Sequence, residues 1–398
     1  MKLALPKLPT LKLPPRRGIF VGLGVALAIL ASIVSYQAYT LYQKNSRLEA
    51  ENADSLSQLE TIKTELDNLK NQDQIKRNED LQAEIANIQK TYATAVAVYE
   101  DLVKLQESTD KTDELEKLFA QALSLLSKRN YQEASSTLST LSGKIRDEQN
   151  KIAASFVVPE NVPTNNAPPG SGYSRQQVSS DTGTFMVSLV AGDLGSTRII
   201  VDTASSGTCT NDCPVLPLAT YVSRNGAYAG VNGSYFCPAS YPSCAGKTNT
   251  FDLLLMNKDK TYFNSDNNVY SNNPGVIFGS GYIRFVSAVS QWGRDTSIDS
   301  MISNYPLLVF NSSVSFGGDD DPKKGSKGAR SFVANKGSTV YMGVVHNATV
   351  AESARVMKAM GMENALNLDD GGSTALWSGG YKVGPGRDLP NVILFVSK

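Results

Sequence analysis

The run from Gly18 to Gln43 holds no charged residue, and it constrains this chain more than any other segment. Ile19, Phe20, Val21, Leu23, Val25, Leu27, Ile29, Leu30, Ile33 and Val34 fill it. As a helix, such a run crosses the ~30 Å hydrocarbon core of a bilayer. Lys2, Lys7, Lys12, Arg16 and Arg17 precede it with no acid among them, and Tyr36, Tyr39 and Tyr42 stand at its far end. The positive-inside rule then puts the N-terminus in the cytoplasm, and the tyrosines mark the opposite interface. No small-x-small site follows a short apolar core, so a retained anchor is expected rather than a cleaved signal peptide. The expectation is a single-pass protein of the cell membrane: basic tail 1–17, anchor 18–42, and everything after Tyr42 outside the cytoplasm.

Cysteine usage agrees with that placement. Cys209, Cys213, Cys237 and Cys244 all fall in the C-terminal half. An even count in an oxidising compartment predicts two disulfides, with three pairings open and the local pairs Cys209–Cys213 and Cys237–Cys244 preferred. The alternative, a zinc site, fits poorly, because the spacings match no common zinc pattern and His346 is the only histidine. No metal and no cofactor are expected. The 398 residues carry a formal net charge of zero, with no basic stripe in the C-terminal half, which argues against nucleic acid as a partner.

The organisation along the chain follows from periodicity. From 43 to 110 the sequence is polar, nearly free of Gly and Pro, and helical in period. Leu41 and Leu48 lie one heptad apart, Leu59, Ile62, Leu66 and Leu69 follow a 3-4-3 spacing, and the seam resumes out of phase at Leu81, Ile85 and Ile88. Apolar a/d spacing with charged flanks reads as a coiled coil with a stutter, and Asn45 and Asn52 at seam positions suit a homo-oligomer. The competing reading is a long helix packed on other helices of its own chain. Two shorter apolar faces, Leu115 to Leu126 and Tyr131 to Ile145, predict a helical hairpin over 111–156. Pro159, Pro163, Pro168, Pro169, Gly170 and Gly172 make 157–180 a linker. Beyond it, β-branched and aromatic runs such as Phe185–Val190, Arg198–Val201, Tyr282–Val289, Thr339–Val345 and Val392–Val396 are broken by Gly, Asn and Pro. The expected fold class is an α+β C-terminal domain over 181–398, a mixed sheet with few helices, carried on the anchor and stalk.

Within that domain the stretch Asn367 to Thr374, N-L-D-D-G-G-S-T, concentrates chemistry. A short apolar strand runs into Asp369 and Asp370. Gly371 and Gly372 let the backbone turn and present its N–H groups, and Ser373 and Thr374 add hydroxyl donors. Thr349 and Glu352 form a capping-box pattern before the helical run Val350 to Met360, closed by Gly361. Helix, strand and acidic turn in that order suit an anionic or sugar ligand, although D-G and G-G are also ordinary turn signals.

Two further segments, Ala229 to Phe236 (A-G-V-N-G-S-Y-F) and Gly328 to Ala334 (G-A-R-S-F-V-A), complete a pattern with the acidic turn. Together the three resemble the phosphodiester glycosidase family over roughly 184–398. The resemblance implies an extracytoplasmic hydrolase that cleaves sugar-1-phosphodiester linkages of surface glycans or sugar-phosphate polymers. It implies Asp369 as the catalytic carboxylate, base or nucleophile, and Asn232, Gly233, Arg330, Gly371, Gly372, Ser373 and Thr374 as substrate-binding residues. Arg330 is expected to clamp the phosphate with its planar fork. Ser234 replaces the family's second glycine, Ser331 stands where threonine is frequent, and Asp370 stands where the family has glycine. Asp370 is a further catalytic candidate, although strand neighbours point to opposite sides. Asp202, Asp252 and Asp266 are other candidates for a second carboxylate, and His346 for an acid or base. Asn232, Asn311 and Asn347 each begin an N-x-S/T sequon. The alternative function is a non-catalytic glycan-binding or envelope scaffold protein with a coiled-coil stalk. A third reading makes the coil a regulator of an envelope hydrolase.

Overall fold

The computed structural model describes residues 16–70 and 73–398, with side chains placed for 24–70 and 75–398. The tail expected over 1–17 falls almost wholly outside the described residues. Helix α1 spans Arg16–Lys70 and α2 spans Asp73–Gln106. From Gly24 onward α1 is long and apolar enough to cross a membrane. The chain divides into two compact units between Asn87 and Ile88. In the first unit the seam residues Leu59, Ile62, Leu66 and Leu69 are exposed.

The second unit begins with a small helical bundle. Helices α3, Asp113–Ser127, and α4, Tyr131–Ala154, form the expected hairpin. The last turns of α2 pack into it: Ala95, Val98, Leu102 and Leu105 share a core with Leu115, Ala122, Leu138 and Leu141. The segment after Ile88 that reads as coil is therefore the third helix of a bundle. A heptad seam and a bundle face use the same apolar spacing, and only the tertiary partner distinguishes them.

The rest of this unit is α+β. A seven-stranded sheet runs in the order Gly172–Ser180, Gly183–Asp193, Thr339–Ala348, Gly328–Lys336, Asn364–Asp370, Leu307–Phe310 and Ser313–Val314. A five-stranded sheet orders Tyr381–Val383, Leu376–Ser378, Ala229–Asn232, Asn391–Ser397 and Thr197–Thr203. A third sheet joins five short strands between Leu255 and Ser303. Every pairing between these strands is antiparallel, so the sheets are not mixed. The first strand corrects the expected linker. Gly172–Ser180 has little apolar content, yet it forms a regular ladder with Gly183–Asp193. An edge strand needs only main-chain pairing, which composition does not reveal.

Val231, Val333, Leu366, Leu368, Leu376 and Ile393 fill the core between the first two sheets. Helix α5, Leu218–Asn225, backs the second sheet with Leu218, Tyr221 and Val222. The short α6, Pro322–Gly325, starts at Asp321. Helix α7, Val350–Ala359, starts at the expected box: Thr349 accepts from the Glu352 N–H, and Glu352 accepts from the Thr349 N–H. Gly361 ends it at φ +72, a left-handed position that favours glycine. Val350, Ala354 and Met357 bury this helix against the first sheet beside Ala365. The strand that delivers the acidic turn is thus held on both faces, by α7 on one and the inter-sheet core on the other.

Candidate active site

The site forms where the first two sheets meet. Asn232 ends one strand of the second sheet, and Asp369 and Asp370 end a strand of the first. Asn232 is fully buried and ties the sheets together. Its Nδ2 donates to the Asp369 carbonyl at 2.7 Å, and its Oδ1 accepts from the Ser331 hydroxyl at 2.8 Å and the Ala375 N–H at 3.1 Å. The Asp369 N–H in turn donates to the Gly233 carbonyl at 2.9 Å. Asn232 therefore positions the acidic turn and does not border the cleft. Burial also closes its sequon in the folded chain.

Gly233 serves close approach. A Cβ there would strike the Asn391 carboxamide and come within 2.7 Å of the Asn391 carbonyl oxygen. We expect Gly233→Ala to destabilise the fold by about 1–3 kcal/mol, the usual range for overpacking, read as a lowered urea midpoint with an unchanged slope. Ser234 is tolerated in place of glycine because its φ is not positive, and its N–H and hydroxyl engage the Asn391 side chain.

Asp370 and Arg330 face each other across the ladder, where a register shift between Arg330 and Phe332 re-aims the strand. Arg330 Nη1 pairs with Asp370 Oδ2 at 3.1 Å. Its Nε donates to the Ala348 carbonyl at 2.9 Å, and its Nη2 donates to the Lys323 and Ser326 carbonyls. A guanidinium has five N–H donors, so one remains for a ligand. Arg330 is only 3% exposed, although it borders the cavity. Its fork is engaged by Asp370 and main chain rather than open to a phosphate, because the Asp370 carboxylate and the carbonyls ringing it already satisfy it.

Asp370 adopts an extended conformation, φ −123, that any residue allows. Its oxygens accept from Arg330, from the Ser331 N–H at 3.1 Å, from Asn367 Nδ2 at 3.0 Å and from the Tyr235 hydroxyl at 3.3 Å. Burial and the neighbouring carboxylates hold the Tyr235 phenol well above its ordinary range, so it stays a donor.

Asp369 differs from its neighbour. Its Oδ1 accepts the Asp370 N–H at 2.9 Å, and no cation among the described residues pairs with it. Its carboxyl is raised to about 7, by burial first and by the adjacent Asp370 charge, against the pull of Ser373, the Asp370 N–H and Arg387. The Ser373 hydroxyl lies beside it, buried and without an aligned hydrogen-bond partner. Desolvation plus an adjacent like charge is how folds poise a carboxyl for proton transfer near neutral pH.

Both acids border one cavity of about 290 Å³ with Arg330, Gly371, Gly372, Tyr235, Phe236, Tyr241 and Tyr305. Gly371 takes φ +63, which the turn requires. Ser373 and Thr374 stay buried behind the turn and do not border the cavity, and neither does Gly233. Asp202 lies outside it, paired with Arg224 at 2.7 Å. Asp252 and Asp266 border a separate surface hollow. His346 is half-buried beside Ser188 at 2.9 Å and stacks on Phe156, and desolvation lowers it to about 4, so it is neutral at physiological pH. The disulfides are Cys209–Cys213 and Cys237–Cys244, and the second forms part of the cavity wall.

Sequence reasoning missed Lys104, Lys323, Lys324 and Arg387, which also line the cavity. Lys323 and Lys324 stand in a charge-rich loop that reads as solvated surface, and Lys104 lies on a helix far away in sequence. No short motif connects them.

Residues 225–396 match the phosphodiester glycosidase family. The match lies wholly within the C-terminal domain and spans less than half of the chain. Among solved structures the chain is similar to the catalytic domain of zebrafish N-acetylglucosamine-1-phosphodiester alpha-N-acetylglucosaminidase, auto-inhibited by its pro-peptide. Identity is 14% and the TM-score 0.43, covering 60% of this chain and 87% of that one. A hypothetical protein from Synechocystis is similar at 13% identity and TM-score 0.41, covering 57% of this chain and 62% of that one. An exported protein from Burkholderia pseudomallei is similar at 12% identity and TM-score 0.35, covering 54% and 74%. No curated protein matches.

Proposed function

We propose that the domain hydrolyses sugar-1-phosphodiesters of surface glycans, with Asp369 as the reactive carboxylate. The observation that carries this reading is the contrast between the two acids at one cavity: Asp370 is paired and fully hydrogen-bonded, while Asp369 is buried, unpaired and poised near 7. The bond broken joins the anomeric carbon to the ester oxygen. Water supplies the hydroxyl added to that carbon, and the phosphate leaves as a monoester retaining the ester oxygen. Asp369 acts deprotonated, taking the proton of water or attacking the anomeric carbon. A phosphate is a good leaving group, so a dedicated general acid is not required. Gly371 offers its main chain beside the anion, and Arg330 keeps one N–H for it.

In this reading α1 anchors the chain in a membrane, and the disulfide-bearing domain works on the extracytoplasmic side. The exposed seam of the first unit pairs with copies of itself as a coiled coil.

The test is release of free sugar and phosphomonoester from a methyl-esterified sugar-1-phosphate. kcat/KM rises with pH through about 7 and then levels, following Asp369 ionisation. A profile that falls through the same range would reassign Asp369 as an acid, and no release at any pH would refute hydrolysis.

A further inference from the structure

The cavity lining is rich in cations. Five cations line it, Lys104, Lys323, Lys324, Arg330 and Arg387, against three carboxylates, Asp321, Asp369 and Asp370. Four of the cations have carboxylate partners. Arg330 pairs with Asp370, Lys323 with Glu100 at 3.7 Å, Lys324 with Asp319 and Asp321, and Arg387 with Glu107. Among the described residues, Lys104 alone of these five has no carboxylate within ion-pair distance, and its one polar contact is a long 3.4 Å bond to the Ser326 hydroxyl.

Lys104 comes from α2, in the helical bundle rather than the glycosidase domain. Its stem lies against the acidic turn: Cε comes within 3.6 Å of where a Cβ on Gly371 would stand. The bundle is pinned there by polar contacts. Glu100 accepts from the Ser243 N–H at 3.0 Å, Asn347 donates to the Ala153 carbonyl at 2.8 Å, and the Glu107 carboxylate, paired with Arg387, lies over Gly372. Burial first, then Arg330 and Lys323, lower the Lys104 ammonium below its ordinary range, while Asp370 and Asp101 oppose them. Asp370 is already satisfied by Arg330. The Lys104 ammonium beside Gly371 has no carboxylate of its own among the described residues, so a bound anion would supply its counter-ion.

We propose that Lys104 binds the phosphodiester anion of the substrate, so that the helical bundle contributes part of the active site. This rests on the hydrolase reading above and identifies where the negative charge of that substrate sits. The phosphate lies between the Lys104 ammonium and the Gly371 main chain, away from the Glu107 carboxylate that covers Gly372, which places the ester's sugar side toward Asp369. Lys104 is a substrate-binding residue, and the main-chain turn and the last Arg330 N–H complete the anion's shell.

The experiment uses the full chain in detergent and compares wild type with Lys104→Met, which keeps the packing stem, and Lys104→Arg, which keeps the charge. Inorganic phosphate is the probe for binding by calorimetry and for competitive inhibition of the sugar-1-phosphodiester. Lys104→Met is expected to raise KM and the phosphate inhibition constant by about 10- to 100-fold, the worth of one charged hydrogen bond. kcat falls much less, Lys104→Arg recovers most of the loss, and the melting temperature is unchanged. Unchanged KM and phosphate affinity in a folded Lys104→Met chain overturn the proposal. So does a gain in kcat/KM, which would make the helix an obstruction. If wild type hydrolyses nothing yet binds phosphate through Lys104, the hydrolase reading fails while the anion site stands.

Discussion

Asp369→Asn removes hydrolysis and stabilises the fold at pH 8. The activity loss is expected at about 10³-fold or more, because the carboxylate that acts deprotonated is replaced by an amide with no basic lone pair. The stability gain follows from linkage. Asp369 is raised from 3.8 to about 7 by burial first and by Asp370 second. A raised folded-state carboxyl binds its proton more tightly in the fold, so its contribution is fully present below about pH 4. That contribution disappears as pH climbs through about 7. At pH 8 the native chain holds a buried, unpaired carboxylate. Asparagine carries no such charge and keeps an Oδ1 to accept the Asp370 N–H. The gain relative to wild type should be near zero at pH 4 and on the order of 1–4 kcal/mol at pH 8. Urea melts of both chains across pH 4–9 read it. Equal stability of the two at pH 8 would mean Asp369 is not poised as described, and retained turnover would remove it from the chemistry.

Arg330→Met destabilises the domain by about 3–5 kcal/mol, because it leaves the Asp370 carboxylate buried without its cation. The double replacement Arg330→Met with Asp370→Asn recovers part of that loss, since no uncompensated charge remains. A double-mutant cycle on urea midpoints reads the coupling. Additive effects would mean the pair does not act as a unit. A loss of turnover in Arg330→Met with no loss of stability would instead restore the open phosphate clamp inferred from the motif. The pair also explains the departure from the family's glycine at this position. An extended backbone at 370 admits a side chain, and Arg330 and Ser331 give that side chain partners.

Much of the domain was legible beforehand. The strands at 183–193, 339–348 and 391–397 declared themselves through β-branched and aromatic runs, and α7 through its capping box and Gly361. These signals are local: side-chain period, cap geometry and positive φ act within a few residues. Asn232, Arg330, Asp369 and Asp370 could be grouped only through the family motif, and the structure does bring them to one junction. Their division of labour was not legible. Asn232 and Arg330 look alike as polar residues beside a cleft. Only the hydrogen-bond partners show that Asn232 ties two sheets together and that Arg330 serves Asp370.

By itself the sequence determined an apolar helix long enough for a membrane, a helical segment, a β-rich domain and the acidic Gly-Gly turn, because each is written in neighbouring residues. The tertiary structure decided which acid is poised, since desolvation and ion pairing depend on what packs around a carboxyl rather than on its neighbours in sequence. It also decided that Lys104, on a helix distant in sequence, lies against the same turn as Asp369 and Asp370. Docking of the bundle onto the domain creates that neighbourhood.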